Sequence, residues 1–82
     1  MQYEDAYIQG ASALAEFLPA VVPADPATRI AVLQEVIPKA QESLGGKGYW
    51  EHEDWLHACE GISHVAVRWL EEGVLVQVNN NE

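Results

Sequence analysis

Apolar residues recur at spacings of three and four along three segments of this chain, which is the pattern of amphipathic helices. The first segment, 3–18, carries one apolar stripe and runs up to two prolines, Pro19 and Pro23. A residue before a proline is pushed out of the helical region, so we expect the first helix to end there. Its predicted buried stripe is Tyr3, Tyr7, Ala11, Leu14, Phe17 and Leu18.

The second helix is predicted to begin at Asp25 and Pro26. Aspartate is a good N-cap acceptor, and proline fits the first helical position, where no N–H bond is needed. The apolar stripe continues through Pro38, so we expect one helix kinked at this proline. Gly45 and Gly46 should end it, because glycine accepts the left-handed conformation that closes a helix. Its predicted stripe is Ile30, Leu33, Ile37, Ala40 and Leu44.

The third helix, predicted over 51–72 and ended by Gly73, has the most clearly separated faces. Its apolar side is centred on Trp55, Ile62 and Trp69, and we expect it to pack into the core. Cys59 and Ala66 belong to the same side, and Leu56, Ala58, Val65 and Leu70 flank it. The opposite side is polar and consists of Glu53, His57, Glu60, His64, Arg68 and Glu71.

A β-rich run, 74–78, follows the third helix, and the rest of the chain offers no convincing strand to pair with it. It could pair with its own copy in a homodimer, pair with a partner's sheet edge, lie on the helices as an extended arm, or pair with segment 1–7. Residues 79–82 are predicted to fray. The sequence thus predicts a single all-α domain over 1–82, a small three-helix bundle with a short C-terminal extended segment at 74–78.

The charge of the chain excludes more classes of function than its length does. The 82 residues include 13 acids and four bases, which gives a formal charge of −9. Such a chain repels nucleic acid and anionic membranes and attracts basic surfaces, although acidity also serves solubility alone. No apolar run is long enough to span a bilayer, two acids stand within 1–5, and the one cysteine permits no internal disulfide, so we expect a cytoplasmic protein.

Two histidines and two acids of the third helix suggest a metal site. Glu53, His57, Glu60 and His64 follow one another at spacings of four, three and four, and all are ligands for a metal such as zinc. One helix can offer only adjacent turns to one ion, which allows either Glu53 with His57 or His57 with Glu60 and His64. We name His57, Glu60 and His64 as the candidate ligands, to be completed by another helix or subunit. The alternative is an ordinary solvated helix face.

Catalytic chemistry finds no support in the sequence. Cys59 lies about 200° around the helix from His57, beyond the reach that a cysteine nucleophile and its base require. The run Gly45-Gly46-Lys47-Gly48 lacks the spacing of a phosphate-binding loop and follows a helix rather than a strand. We therefore expect a protein that is not an enzyme and that uses no cofactor.

Protein binding is the function that the sequence favours. Tyr49 and Trp50 stand beside Glu51, Glu53 and Asp54, a composition typical of an interface, although both aromatics could instead cap a thin core. With Glu60, Glu71 and Glu72 they form the predicted partner-binding set.

The predicted partner is a larger protein with a basic surface, such as a nucleic-acid-binding enzyme or complex. The chain would act on it as an inhibitor or nucleic-acid mimic. Small acidic proteins of this kind are often encoded by phages, which is an analogy from size and charge alone. The alternative function is a metal-binding or assembly-type helical homo-oligomer that uses the face of Glu53, His57, Glu60 and His64.

Overall fold

Three α-helices form the protein in the computed structural model, which describes residues 3–73. They are α1 (Tyr3–Phe17), α2 (Pro26–Ser43) and α3 (His52–Glu72), and a short 3-10 helix, Lys47–Tyr49, joins α2 to α3. The predicted all-α three-helix bundle is confirmed, and residues 3–73 contain no strand. The predicted extended segment 74–78 and the tail 79–82 lie outside the described residues.

The helix ends follow the local signals of the sequence. Asp25 caps α2: its carboxylate accepts hydrogen bonds from the Thr28 N–H at 3.1 Å and from the Thr28 hydroxyl at 2.9 Å. Past the other end of α2, Gly45 has a φ of +99°, which glycine adopts without strain. Gly73 ends α3 in the left-handed conformation, and its N–H donates to the Trp69 carbonyl at 3.0 Å.

Helix α2 runs through Pro38 without a break, as predicted. Proline has no N–H to donate, so the carbonyl four residues earlier loses its usual helical bond. Pro38 itself is exposed, so water can reach this part of the helix. The kink expected at this position stays a prediction.

All three helices contribute to one apolar core. Its largest fully buried side chains are Leu14 of α1 and Val65 and Trp69 of α3, and burying a side chain of this size contributes roughly 1.5 to 3 kcal/mol. No polar or charged side chain is buried anywhere in 3–73. The remaining members of this core cluster are Ala11, Ala13, Leu18, Leu33, Val36, Ala40, Ile62 and Ala66.

Most of the predicted apolar faces are buried, including the centre of the α3 face at Trp55, Ile62 and Trp69, but positions at the edges of the faces differ from the prediction. Ile30 was expected in the core and is 45% exposed, whereas Val36 of the same helix is buried. Leu56 and Ala58 were both expected to flank the core; Leu56 is 51% exposed, whereas Ala58 is fully buried as expected. For α3 these differences amount to a rotation of about half of the 100° between neighbouring residues. Tyr3 and Phe17 are also exposed, although both were placed in the predicted stripe of α1.

Two glycines explain the rotation of α3, because they let α1 and α3 meet backbone to backbone. A Cβ atom built on Gly10 would overlap the carbonyl oxygen of Ala58. One built on Gly61 would overlap the carbonyl oxygen of Tyr7 and would stand 2.9 Å from the Ala11 nitrogen. The close approach turns Ala58, Gly61 and Val65 inward, so the histidines of α3 come to lie beside α1 rather than opposite the core.

Helix α2 is attached differently, through side chains. Leu33, Val36 and Ala40 supply its buried apolar contacts. Near its start, the Arg29 guanidinium donates from Nη1 to the Leu70 carbonyl at 2.9 Å and from Nε to the Pro23 carbonyl. Arg29 thereby places a positive charge against the last turn of α3, where helix carbonyls carry partial negative charge.

Candidate binding surface on helices α1 and α3

Four aromatic rings line one edge of the contact between α1 and α3. Tyr3 meets His57 edge to face, with ring centroids 4.4 Å apart, and Tyr7 meets His64 in the same way at 5.9 Å. The two tyrosines lie 6.0 Å from each other. The backbone carbonyl of Tyr7 lies against Gly61 of α3. This close contact between the two helices holds the row of rings in place.

Glu60 supplies the negative charge of this edge. One carboxylate oxygen lies 3.6 Å from Nδ1 of His57, so the two groups attract when the imidazole is protonated. Partial burial raises the pKa of Tyr3, and the negative charge of Glu60 and a hydrogen bond with it add to the shift. Burial and the charge of Glu60 also raise the pKa of Tyr7. Both phenols therefore stay neutral over a wider range of pH than free tyrosine.

A surface groove of about 440 Å³ opens beside the two tyrosines. We call it the tyrosine groove; its lining consists of Tyr3, Glu4, Tyr7 and Ile8. Ile8 also lines a second groove, of about 330 Å³, between α1 and the end of α2. The outer side of α1 thus carries two adjoining depressions, and the first of them combines aromatic rings with a carboxylate.

The predicted metal ligands do not assemble into a site within one chain. His57 and Glu60 are neighbours, but each histidine packs against a tyrosine of α1. Residues 3–73 contain no group of three or more His, Cys, Asp or Glu side chains that could hold a metal ion. Ligands from a second subunit were part of the prediction, and that version stays a prediction.

The two aromatics predicted to bind a partner have different environments. The indole N–H of Trp50 donates to the Leu44 carbonyl at 2.7 Å, and its ring lies 6.2 Å from that of Trp55. Trp50 is half-buried and closes the end of α2 against α3, which is the core-capping alternative. Tyr49 remains 78% exposed and free to meet another molecule.

The predicted acidic residues do not form one patch. Glu51, Glu53 and Asp54 stand at the start of α3, while Glu71 and Glu72 stand at its end. At 1.5 Å per residue the two groups lie about 30 Å apart, and Glu60 occupies the middle of the helix. Glu72 is also paired with Arg68 at 3.1 Å. A partner that touched all of them would have to follow the whole length of α3.

Most of the few basic side chains bind groups of the same chain. Arg29 binds two backbone carbonyls, Arg68 pairs with Glu72, and Lys39 pairs with Glu35 at 3.5 Å. Three of the four bases of the chain therefore have partners within it. The net charge of −9 is thus presented largely by carboxylates on the surface.

Tyr3, Glu4, Tyr7 and Ile8 were missed as site residues because periodicity assigned both tyrosines to the core. A signal was present in the small residues Ala6 and Gly10 of α1 and Ala58 and Gly61 of α3. Glycine inside a helix costs stability relative to alanine, so its presence at an interior position points to close packing. The class that fold and surface define is a small acidic helical bundle. Comparison of this chain with known protein families, curated proteins and solved structures gave no match.

Proposed function

We propose that this chain is a small non-enzymatic binding protein that occupies a basic surface on a larger protein. The supporting observation is the placement of its charge. Bases are few and three are engaged within the chain, so an approaching basic surface meets carboxylates over most of the molecule. Such complementarity steers encounter and disfavours partners of like charge.

Several carboxylates stand where they weaken the fold. Glu16, Glu42 and Glu71 lie in the last turns of α1, α2 and α3, and none of these turns contains a base of its own, although Arg29 of α2 lies against that of α3. The C-terminal end of a helix carries partial negative charge, so an acid there is unfavourable. Acids at such positions fit a requirement for surface charge better than a requirement for stability.

We further propose that the partner is a nucleic-acid-binding enzyme or complex, and that the chain acts as its inhibitor by presenting carboxylates where phosphates would otherwise bind. A phage-encoded protein directed at host machinery fits this role by size and charge. The proposed compartment is the cytoplasm, with Cys59 as a free thiol among the described residues in support. Within residues 3–73 no helix is both long and apolar enough to cross a membrane.

Two charge-matched variants test this function. One carries Glu16→Gln and Glu71→Gln, in helix last turns; the other carries Asp5→Asn and Glu53→Gln, in helix first turns where acids are favourable. Wild type and both variants are immobilised, exposed to cell extract at low salt and eluted with increasing salt. We expect basic proteins that elute as salt screens the attraction, with less bound to both variants.

Stability provides the second measurement on the same variants. The last-turn variant should unfold at a higher urea concentration than wild type and the first-turn variant at a lower one, although both bind less. Neutral or acidic proteins captured in a salt-independent way would contradict the proposal. So would a last-turn variant that loses stability, because its carboxylates would then serve the fold.

A further inference from the structure

We infer that the tyrosine groove binds an arginine side chain of the basic partner. This inference rests on the proposed function and names the site and the chemical group that it would recognise. The groove combines two phenol rings with the carboxylate of Glu4, and Glu60 lies behind the rings at His57. Aromatic faces beside carboxylates are the surroundings that a cationic side chain favours.

The side chains that line the groove favour a cation over an anion, and they act against the partial positive charge at the start of α1. The lining contains one acid and no base. Asp5, which follows Glu4 in α1, is exposed, and Glu60 of α3 contacts the same row of rings. On the other elements, Arg29 binds carbonyls at Leu70 and Pro23 and Arg68 binds Glu72. The imidazoles of His57 and His64 lie against the two tyrosine rings from the side of α3.

The lining of the groove, phenol rings beside a carboxylate, favours arginine over lysine. A guanidinium is planar, so it can lie on a phenol ring while its N–H groups donate to a carboxylate. Lysine carries a compact, strongly hydrated charge that gains less from an exposed ring. Nearly half of Tyr3 is accessible, which leaves ring surface for such stacking.

The two rings of the tyrosine groove are held rigidly by contacts with α3. The Tyr7 carbonyl lies against Gly61, so the backbone of α1 cannot shift toward α3 when a ligand presses on the rings. Tyr3 sits one turn away and is braced by His57 at 4.4 Å. A ligand would therefore meet rings that are already in position, which reduces the ordering cost of binding.

Peptide titration of the full chain tests the inference. The probes are a nine-residue peptide of alternating arginine and serine and the same peptide with lysine, followed by amide chemical shifts at low salt. We expect the arginine peptide to shift the amides of Tyr3, Glu4, Tyr7 and Ile8 most and to bind roughly three-fold more tightly than the lysine peptide. Equal affinity for the two peptides would overturn the assignment of arginine.

A matched pair of variants separates this inference from the proposed function. Glu4→Gln and Glu53→Gln each remove one acid from a helix first turn, but only Glu4 lines the groove. Glu4→Gln should weaken binding of the arginine peptide several-fold more than Glu53→Gln does. Equal losses with shifts spread over the surface would overturn the groove and leave the proposed function standing. No binding of either peptide at low salt would overturn both.

The ring itself is tested by Tyr3→Phe and Tyr3→Leu. Tyr3 is largely exposed, so both proteins should fold, and far-ultraviolet circular dichroism checks this. Phenylalanine keeps the aromatic face and should keep most of the affinity, whereas leucine should lose roughly two- to five-fold. Equal affinities of the two variants would show that the ring face does not hold the cation.

Discussion

Helices α1 and α2 are joined to the rest of the bundle in opposite ways. Helix α1 meets α3 with backbone against backbone at Gly10 and Gly61, where no atom can be added. Helix α2 is held by the side chains of Leu33, Val36 and Ala40 and by hydrogen bonds from Arg29. A backbone contact permits one geometry, whereas side chains can change rotamer and repack. The α1–α3 pair is therefore the rigid frame of the molecule, and α2 is the element with more room to adjust.

The largest effect is expected from Gly61→Ala. The new methyl group would overlap the Tyr7 carbonyl and must push α1 away from α3. We expect a loss of about 3 kcal/mol in the free energy of unfolding, even though alanine favours helix. Urea denaturation followed by circular dichroism measures it. Gly48→Ala is the control, since a Cβ there meets nothing within 4 Å; similar midpoints for the two variants would show that the crossing is not tight.

Leu33→Ala tests the attachment of α2. Leu33 is buried, and its truncation leaves a cavity that α2 can partly close by moving. The expected loss is about 2 kcal/mol, near the lower end for buried leucines, because side-chain contacts can repack. Leu14→Ala, in the rigid pair, should cost more although both remove the same atoms. If Leu33→Ala cost as much as Leu14→Ala, the proposed difference in rigidity would be wrong.

Arg29→Met should have a smaller effect. The substitution keeps much of the side-chain length but removes the donors to the Leu70 and Pro23 carbonyls. We expect a loss of about 1 to 2 kcal/mol from the free energy of unfolding. Lys39→Met is the matched control, because the ion pair of Lys39 with Glu35 is exposed and contributes little. The same loss in both variants would assign the effect to net charge instead of to these two bonds.

The smallest effect concerns the outer edge of the α1–α3 contact. In a Tyr49→Phe background only Tyr3 and Tyr7 titrate as tyrosines, and Glu60→Gln should lower their pKa because one negative charge is lost. Absorbance of the phenolate during alkaline titration measures the shift, with Glu53→Gln as control. An unchanged titration in Glu60→Gln would show that Glu60 does not influence the pKa of Tyr3 or Tyr7.

The same pKa shifts give a direction for stability. The folded state raises the pKa of both phenols above the unfolded value, so it favours their neutral form. This contribution is complete below about pH 10 and is lost as the pH rises through the folded-state pKa. Unfolding midpoints should therefore fall at alkaline pH, and less steeply in Glu60→Gln.

The ends of the helices could be predicted from the sequence because they depend on neighbours in the chain. Asp25 with Pro26 marked the start of α2, and Gly73 marked the end of α3, both confirmed. The faces were harder, since a helix turns toward whatever packs on it. Ile30 and Leu56 are apolar yet exposed, and His57 is polar yet half-covered by Tyr3. Hydrophobicity alone gave no weight to the glycines that decide this orientation.

The candidate site was predicted only in part. Glu60 was named both as a metal ligand and as a partner-binding residue, and it lies beside the ring row. Tyr49 is exposed, and its partner-binding role stays a prediction. The tyrosine groove is lined by α1 alone, but its two rings are positioned by His57 and His64 of α3. Residues 3 and 57 are too far apart in the chain for periodicity to join them. Trp50 was named as a partner-binding residue, with core capping as the alternative. Its hydrogen bond to the Leu44 carbonyl gives it a structural role.

The close contact of α1 and α3 at Gly10 and Gly61 also restricts which sequences can adopt this fold during evolution. Any change at position 10 or 61 to a larger residue collides with the backbone of the other helix, so both positions must stay small together. Relatives that keep this fold should therefore carry two small helical residues at the positions of Gly10 and Gly61, which lie about fifty positions apart in this chain.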